Sequence, residues 1–296
     1  MKLAHLFRCT LTCISPKLNT KVTYRMKFRK KLDLKNPKNL REKILYLKLR
    51  DYATHPLIRQ CADKYAVRDY IEKQGCGEIL IPLIAAYDRV EDIPWEDLPD
   101  AFAMKWNFGC GFNLICPDKT KLNIPAAKEK LERWRKTRYH LGYSEMQYKG
   151  VPKKILVEKY LKPKSGALPD DYKIYCFHGE PKATLYMSGR HTSSMQAVFM
   201  DNDWNLLGET GKKKYVHTTA MPEKPASFEA MLDYARKLSA PFPFVRMDFY
   251  EIDGKVYFGE MTFTPAGGYD VSQCLVDGKP MGDLVDHTQE IKNPVL

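Results

Sequence analysis

Two acidic residues on what we predict to be neighbouring strands carry the clearest chemical signal in the chain. Asp248 lies in the run Arg246–Tyr250, and Glu260 lies in the run Val256–Thr262. Both runs are apolar and β-prone, and the Asp253-Gly254 dipeptide between them is typical of a tight hairpin turn. We therefore expect a hairpin that places the two carboxylates side by side.

Paired carboxylates need a cation or a proton between them. They repel one another when both are ionised, so the pairing costs stability unless it has a use. Magnesium prefers oxygen ligands and often shares them with nucleotide phosphates. The pair therefore predicts a magnesium-nucleotide site, although a surface hairpin whose acids face water would show the same pattern.

A lysine before a glycine-bearing turn is the second signal. Lys105 lies near the end of a predicted strand, Ala101–Trp106, and the loop that follows contains Gly109 and Gly111 before a strand at Leu114–Cys116. Glycine lets backbone N–H groups approach phosphates closely, and the lysine ammonium can lie over the same phosphates. A purely structural turn would also use glycine.

Two further segments fit the rest of a nucleotide. The run Ile155–Leu161 is an apolar strand that becomes polar at its end, which can offer backbone groups to the edge of an adenine. Asp171 and Lys173 lie two residues apart and so share one face of a strand. Asp171 could hold ribose hydroxyls and Lys173 a phosphate, but a plain ion pair explains them equally well.

The elements that position these residues alternate irregularly between strand and helix. The patterns predict helices over residues 37–52, from near Asp63, over Pro125–Leu141 and from Ser227 to about Leu238, and further strands over Glu78–Ala86, Lys154–Tyr160, Tyr172–His178, Lys182–Met187 and Ala197–Asp201. This order, without strict strand-helix-strand repetition, favours the α+β class.

Composition narrows the classes of protein. The chain has 296 residues, of which 44% are hydrophobic, which is enough for a substantial core. We find no apolar run long enough to span a membrane and no convincing signal peptide, so we expect a cytoplasmic protein. The eight cysteines show no paired ligand spacing and are expected to be reduced thiols.

The positive charge is concentrated near the beginning of the chain. Residues 1–60 contain 16 Lys and Arg against 3 Asp and Glu, a net charge of +13, whereas the remaining residues have a net charge of −1. We call residues 1–60 the N-terminal arm; a basic segment of this kind can bind anionic lipid, a polyanionic or lipid-linked substrate, or nucleic acid. A solvated basic segment without a partner is the alternative.

The order of these motifs over roughly residues 40–270 resembles the ATP-grasp fold, and specifically its TupA-like branch, named for teichuronopeptide synthesis. The similarity is carried by the stretches Asp63–Arg68, Lys105–Gly111, Asp171–Lys173, Phe244–Tyr250 and Phe258–Pro265. It implies two α+β subdomains that clasp a nucleotide, with a basic helical N-terminal arm. We expect the arm over 1–60, the part with the lysine and glycine flap over 61–150, and the part with the hinge and metal site over 151–296.

The resemblance also implies roles for individual residues. The expected ATP ligands are the lysines Lys64 and Lys105, the flap glycines Gly109 and Gly111, the adenine hinge Glu158, Lys159, Tyr160 and Leu161, and the ribose and phosphate ligands Asp171 and Lys173. The expected Mg²⁺ ligands are Asp248, Glu260 and Thr262, the last in place of the asparagine of many ATP-grasp enzymes. Arg246 would stabilise phosphoryl charge, and Arg190 is our candidate for gripping a carboxylate or the γ-phosphate.

The activity implied is ATP- and Mg-dependent ligation of a carboxylate to an amine through an acyl phosphate. We expect an amino acid or peptide to be added to a cell-surface polysaccharide or its lipid-linked precursor, with peripheral contact at an anionic inner membrane surface. A glycosyltransferase that uses the Asp201-Asn202-Asp203 triplet is an alternative. A non-catalytic nucleic-acid-binding protein is another, disfavoured because Phe28 is the lone aromatic residue within Lys27–Lys38.

Overall fold

The computed structural model describes residues 2–162, 168–189, 192–193, 195–209, 221–270 and 274–293. The α-helices of this part are α1 (Lys2–Ile14), α2 (Pro16–Phe28), α3 (Leu40–Leu49), α4 (Pro56–Ala62), α5 (Val67–Lys73), α6 (Ile124–Arg135), α7 (Tyr139–Tyr143) and α8 (Phe228–Ser239). Within these residues, no helix combines the length and the apolar character that crossing a membrane requires.

The first sheet has four antiparallel strands. They are β1 (Leu83–Tyr87), β2 (Phe102–Trp106), β3 (Asn113–Cys116) and β4 (Ile155–Lys159), in the spatial order β1-β4-β2-β3. Helix α6 covers this sheet with the buried side chains Ala127 and Leu131, and the Trp106 indole donates to the Leu131 carbonyl at 3.1 Å. The predicted strand-loop-strand flap is confirmed as β2 and β3.

The second sheet has six antiparallel strands. They are β5 (Asp171–Phe177), β6 (Glu180–Ser188), β7 (Gln196–Met200), β8 (Leu206–Glu209), β9 (Phe244–Ile252) and β10 (Lys255–Thr262), in the order β10-β9-β5-β6-β7-β8. A short pair, β11 (Leu275–Val276) and β12 (Lys279–Pro280), lies outside it. Helix α8 supplies Phe228, Met231 and Ala235 to the core beneath the sheet. Mixed helices and antiparallel sheets confirm the α+β prediction.

The Asp253-Gly254 turn joins β9 to β10 and has the backbone conformation of a tight hairpin turn. Asp253 and Gly254 both have positive φ, 52° and 81°. Two-residue hairpin turns with positive φ at both positions match the twist of the flanking strands, and Asp-Gly accommodates them at low cost. The local sequence therefore sets the register that aligns β9 with β10.

Two predicted elements are wrong in their boundaries. The strand predicted over Glu78–Ala86 is a 3₁₀ turn at Gly77–Ile79, with β1 beginning only at Leu83, directly after Pro82. Proline has no N–H to donate to a sheet, which delays the strand. The helix predicted over Pro125–Leu141 is divided into α6 and α7.

The basic N-terminal arm is helical, as predicted, and folds against the body through buried polar contacts. The Thr12 hydroxyl of α1 donates to the Leu141 carbonyl of α7 at 2.7 Å. The Asn19 amide of α2 donates to Thr12 Oγ1 at 2.8 Å and to Ser144 Oγ at 2.9 Å. Because Thr12, Asn19 and Ser144 are all buried, this network fixes the two helices against α7.

Candidate functional site

A cavity of about 330 Å³ opens between the first sheet, which carries the β2–β3 flap and is called the flap sheet below, and the second sheet. Six of the predicted nucleotide ligands line it, namely Lys105, Gly111, Glu158, Lys159, Tyr160 and Leu161. Tyr250 of β9 contributes from the opposite sheet, and Ile81, Met104 and Leu168 add apolar surface. The cavity is in the size range of small-molecule sites and combines apolar walls with a few charged groups, so it can accept a planar base with a polar extension.

A buried ion pair lies at the wall of this cavity. Lys105 Nζ is 2.7 Å from Glu158 Oε2, and Arg68 Nη1 is 3.8 Å from Glu158 Oε1. Burial lowers the pKa of Lys105, but the Glu158 carboxylate outweighs it and leaves the pKa raised. Lys105 therefore carries a positive charge at the cavity wall. Since the Glu158 side chain is committed to these cations, the backbone at the end of β4 is left to contact a base.

The two acids of the β9–β10 hairpin are direct cross-strand partners. Asp248 pairs with Glu260, and an irregularity between Phe258 and Glu260 shifts the register by one residue at Gly259. A side chain at Gly259 would place its Cβ 2.9 Å from the Asp248 carbonyl, so only glycine fits this bulge. Opposed residues of an antiparallel pair project to the same face, and the predicted approach of the carboxylates is confirmed.

Three cations surround the acid pair. The Arg246 guanidinium donates to both oxygens of Asp248, at 2.6 and 2.7 Å, and its Nη2 is 3.7 Å from Glu260 Oε1. Lys173 Nζ lies 2.7 Å from Asp248 Oδ2, and Lys64 Nζ lies 3.5 Å from Glu260 Oε2. Buried clusters of ionised groups occur preferentially at functional sites, so this cluster is a candidate site for an anionic ligand.

The charges perturb one another in a consistent direction. Burial raises the pKa of Glu260, but Lys64, Arg246 and Lys173 outweigh it and lower the pKa to about 2. The pKa values of Lys173 and Arg246 are both raised, because the carboxylate of Asp248 overcomes their burial. The pKa shifts of Glu260, Lys173 and Arg246 therefore all favour the ionised form at neutral pH.

The acid pair fits a magnesium ion by donor chemistry. Asp248 and Glu260 offer the oxygen ligands that Mg²⁺ prefers, and the Thr262 hydroxyl lies 3.0 Å from Glu260 Oε1. The Arg246 guanidinium, which contacts both carboxylates, stands where a cation between them would be expected. In the described residues no group of three or more His, Cys, Asp or Glu forms a metal cluster, so the remaining ligands would come from phosphates and water.

Lys64 links the acid pair to the glycine loop. Its Nζ donates to the Gly109 carbonyl at 2.5 Å, and its backbone N–H donates to the Asn107 carbonyl at 2.9 Å. The Asn107 amide in turn donates to Asp63 Oδ2 at 2.9 Å. The loop that follows β2 is thereby held over the acids by the segment that precedes α5.

The two glycines of this loop should respond differently to alanine. Gly109 has φ of 67°, and an added Cβ would lie 2.7 Å from the Tyr139 ring, which is itself held between Phe112 and Tyr148. Gly111 has φ of 83° but open space around it. Gly109→Ala should cost about 3 kcal/mol of unfolding free energy and Gly111→Ala about 1 kcal/mol, measured by urea denaturation. Equal losses would contradict the close approach at Gly109.

The Glu260 charge should be visible in acid stability. A carboxylate whose pKa falls from 4.5 to about 2 on folding contributes stability that is complete above pH 4.5 and is lost as the pH falls toward 2. The free energy of unfolding of Glu260→Gln should therefore fall less steeply over this range than that of the native protein, in urea titrations without divalent ions. Parallel pH profiles would show that the cations around Glu260 do not stabilise its charge.

The remaining predicted site residues have different surroundings in the structure. Asp171 is fully buried and lies 3.1 Å from Lys173, so the ion pair considered as the alternative for these residues is present. Arg190 lies outside the described residues. The Asp201-Asn202-Asp203 triplet forms the turn between β7 and β8, where the Asp201 carboxylate accepts from the backbone N–H groups of Asp203 and Asn205 at 2.9 and 2.7 Å.

Sequence reasoning assigned no role to several residues that shape the site. Arg68 pairs with Glu158 from helix α5, Asn107 connects the glycine loop to Asp63, and Tyr250 lines the cavity from the second sheet. Asp63 and Arg68 are separated from their partners by 44 and 90 positions. The stretch Asp63–Arg68 is one of those that carry the resemblance to the TupA-like branch, but the contacts of these two residues follow only from the fold.

Two antiparallel sheets meet along a cleft, with a glycine loop from one and an acid hairpin from the other, which is the arrangement expected of the ATP-grasp fold. The model of the family described as TupA-like ATPgrasp matches residues 42–284. The chain belongs to this family. No curated protein matches it.

Several solved structures resemble the chain at low sequence identity. D-alanine–D-alanine ligase from Bacillus anthracis complexed with ATP is 15% identical, with a TM-score of 0.42, 69% of this chain covered and 55% of that one. N5-carboxyaminoimidazole synthetase from Staphylococcus aureus complexed with ADP is 14% identical, with a TM-score of 0.44, covering 80% and 54%. An ADP complex of N5-carboxyaminoimidazole ribonucleotide synthetase is 10% identical, with a TM-score of 0.48, covering 81% and 55%. The chain thus spans about half the length of these structures.

Proposed function

We propose that the protein is an ATP- and Mg-dependent carboxylate-amine ligase. The observation that carries this proposal is the side-by-side arrangement of Asp248 and Glu260, surrounded by Lys64, Lys173 and Arg246, next to the cavity of about 330 Å³. Membership in the TupA-like ATPgrasp family supports it. A hydrophobic slot beside two acids and the cations that pair with them suits adenine at one end and magnesium-bound phosphates at the other.

The adenine would lie against the end of β4. Tyr160 and Leu161 line the cavity there, and their backbone follows the last residue of the strand, Lys159. Lys105 lies on the adjacent strand β2 and carries a positive charge, so it would contact a phosphate further along the nucleotide. The loop with Gly109 and Gly111 would close over the phosphates.

The phosphates would extend toward the acid pair. Asp248 and Glu260, with Thr262 nearby, would hold a magnesium ion, which supplies positive charge to the transferring phosphoryl group. Arg246 and Lys64 can stabilise the charge that develops on the γ-phosphate, since both lie within 4 Å of Glu260. Binding a metal requires the Arg246 guanidinium to turn from the acids toward the phosphate.

The reaction has two steps. A carboxylate oxygen of one substrate attacks the γ-phosphorus of ATP, the bond to the bridging oxygen breaks, and ADP leaves. The amine nitrogen of the second substrate then attacks the acyl carbon, an amide bond forms, and phosphate departs with the original carboxylate oxygen while the amine loses a proton. The protein contributes by orienting the reactants and stabilising the anionic oxygens.

The acceptor in this proposal is a uronic-acid-bearing polysaccharide or its lipid-linked precursor, joined to an amino acid or peptide. The net charge of +13 in residues 1–60 suits a polyanionic substrate, because clustered cations raise its local concentration. Arg190 is proposed to grip the acceptor carboxylate or the γ-phosphate. The reaction would take place in the cytoplasm, where ATP is abundant.

Oxygen transfer tests the proposed chemistry directly. The protein is incubated with ATP, MgCl₂, a panel of amino acids and glucuronate or oligoglucuronate whose carboxylates carry ¹⁸O. One ¹⁸O should appear in each phosphate released, because the acyl phosphate passes a carboxylate oxygen to phosphorus. Phosphate without ¹⁸O, formed together with an amide product, would rule out the acyl phosphate. Nucleotide binding with no product from any pair would reject this acceptor class.

A further inference from the structure

The outer face of helix α1 is apolar, which is unusual for a helix on a protein surface. The exposed fractions of Leu3, Leu6, Phe7 and Ile14 are 85%, 66%, 49% and 69%. At 3.6 residues per turn these four positions fall within an arc of about 100°. Thr10 is the one polar residue within this arc, and its hydroxyl donates to the Leu6 carbonyl at 3.2 Å. The other four side chains form an apolar stripe around it, which we call the α1 stripe.

The opposite face of α1 is the one that packs on the body, and it is polar. Thr12 bonds to the Leu141 carbonyl at 2.7 Å, and the Arg8 guanidinium lies 4.8 Å from the centre of the Tyr143 ring. A Cβ added to Gly142 would lie 3.3 Å from the His5 ring. The usual amphipathic order is inverted, since His5, Arg8 and Thr12 face the protein while leucines face outward.

A row of cations lies on the adjoining helix. Lys17, Lys21 and Arg25 of α2 are exposed and spaced four residues apart, so they share one face of that helix. Residues 1–32 contain nine Lys and Arg and no Asp or Glu. An apolar stripe beside a purely cationic row is the pattern of helices that lie in the headgroup region of a bilayer.

We propose that helices α1 and α2 dock the protein on an anionic lipid surface. The α1 stripe would enter the acyl boundary, and Lys17, Lys21 and Arg25 would contact headgroup phosphates. A second copy of the chain fits less well, because it would bring two arms of +13 together. Binding of nucleic acid would use the cations but would leave the apolar side chains of the α1 stripe exposed to water.

Vesicle flotation tests this proposal without nucleotide or acceptor, so its outcome is independent of the proposed ligase activity. The full chain should float with vesicles of phosphatidylcholine and phosphatidylglycerol in equal parts, and not with phosphatidylcholine alone. Leu3→Glu/Phe7→Glu should lower the partition coefficient about tenfold or more. Lys17→Glu/Lys21→Glu should weaken binding similarly, and high salt should reduce the binding of the native chain.

Leu206→Glu provides the matched control, because Leu206 on β8 is 48% exposed, as Phe7 is 49% exposed. It should leave vesicle binding unchanged, and melting curves should show that all variants fold. Failure of the native chain to bind, or equal binding by Leu3→Glu/Phe7→Glu, would overturn the proposal. Self-association in sedimentation velocity that the stripe variant abolishes, without vesicle binding, would assign the face to a second copy instead.

Discussion

Glu260→Gln is expected to lower ATP turnover by about a thousandfold while the protein remains folded. Glutamine keeps the size of the side chain but removes the charge that would hold magnesium against the γ-phosphate. Glu260 suits this test better than Asp248, because its cations lie at 3.5 and 3.7 Å, whereas Asp248 is bonded at 2.6 to 2.7 Å. Turnover is measured as ADP release with the most active pair of substrates.

Asp203→Asn is the control for this variant. The Asp203 side chain is exposed in the turn between β7 and β8, and only its backbone N–H takes part in the bonds to Asp201. Its turnover should equal that of the native protein. Loss of activity in Asp203→Asn with full activity in Glu260→Gln would favour a glycosyltransferase site at the triplet over the hairpin.

Lys105→Met is expected to cost about 3 kcal/mol of unfolding free energy in urea denaturation. The substitution preserves the length and apolar part of the side chain but leaves the buried Glu158 carboxylate with Arg68 alone, at 3.8 Å. Glu158→Gln in the same chain should recover part of the loss, because it removes the buried carboxylate that Lys105→Met leaves poorly paired. A double-mutant cycle of the two changes should thus give a favourable coupling energy.

A surface lysine supplies the comparison. Lys121 pairs with Asp118 at 3.2 Å, but its side chain is 83% exposed. Lys121→Met should therefore produce no measurable change in stability, since water screens the pair. If Lys105→Met were equally neutral, the Lys105–Glu158 pair would not contribute to holding the flap sheet together.

The parts of the site that follow from local pattern were predictable. The Asp253-Gly254 turn sets the hairpin, and the hairpin sets Asp248 opposite Glu260. Likewise, Lys105 near the end of a strand and the glycines after it place a cation beside a loop whose positive φ values favour glycine. In both cases the relevant residues are close in sequence.

Features that depend on distant contacts were not predictable. Helix α6 ends at Arg135 although the pattern continues, and Lys153 donates to the carbonyls of Arg135 and Thr137. The Arg135 carbonyl is one of those that a helix C-terminus leaves without an intrahelical partner, and here a lysine from a later segment satisfies it. The pairing of Arg68 with Glu158 is of the same kind, as is the cross-strand contact of Lys173 with Asp248.

The measurement that most directly tests the central claim is calorimetric titration with AMP-PNP, a non-hydrolysable ATP analogue. We predict micromolar binding with Mg²⁺ that weakens at least about tenfold when EDTA removes the ion or when Glu260→Gln is used. Absence of binding, or an affinity unchanged by EDTA and by Glu260→Gln, would contradict a magnesium-nucleotide site at the acid pair.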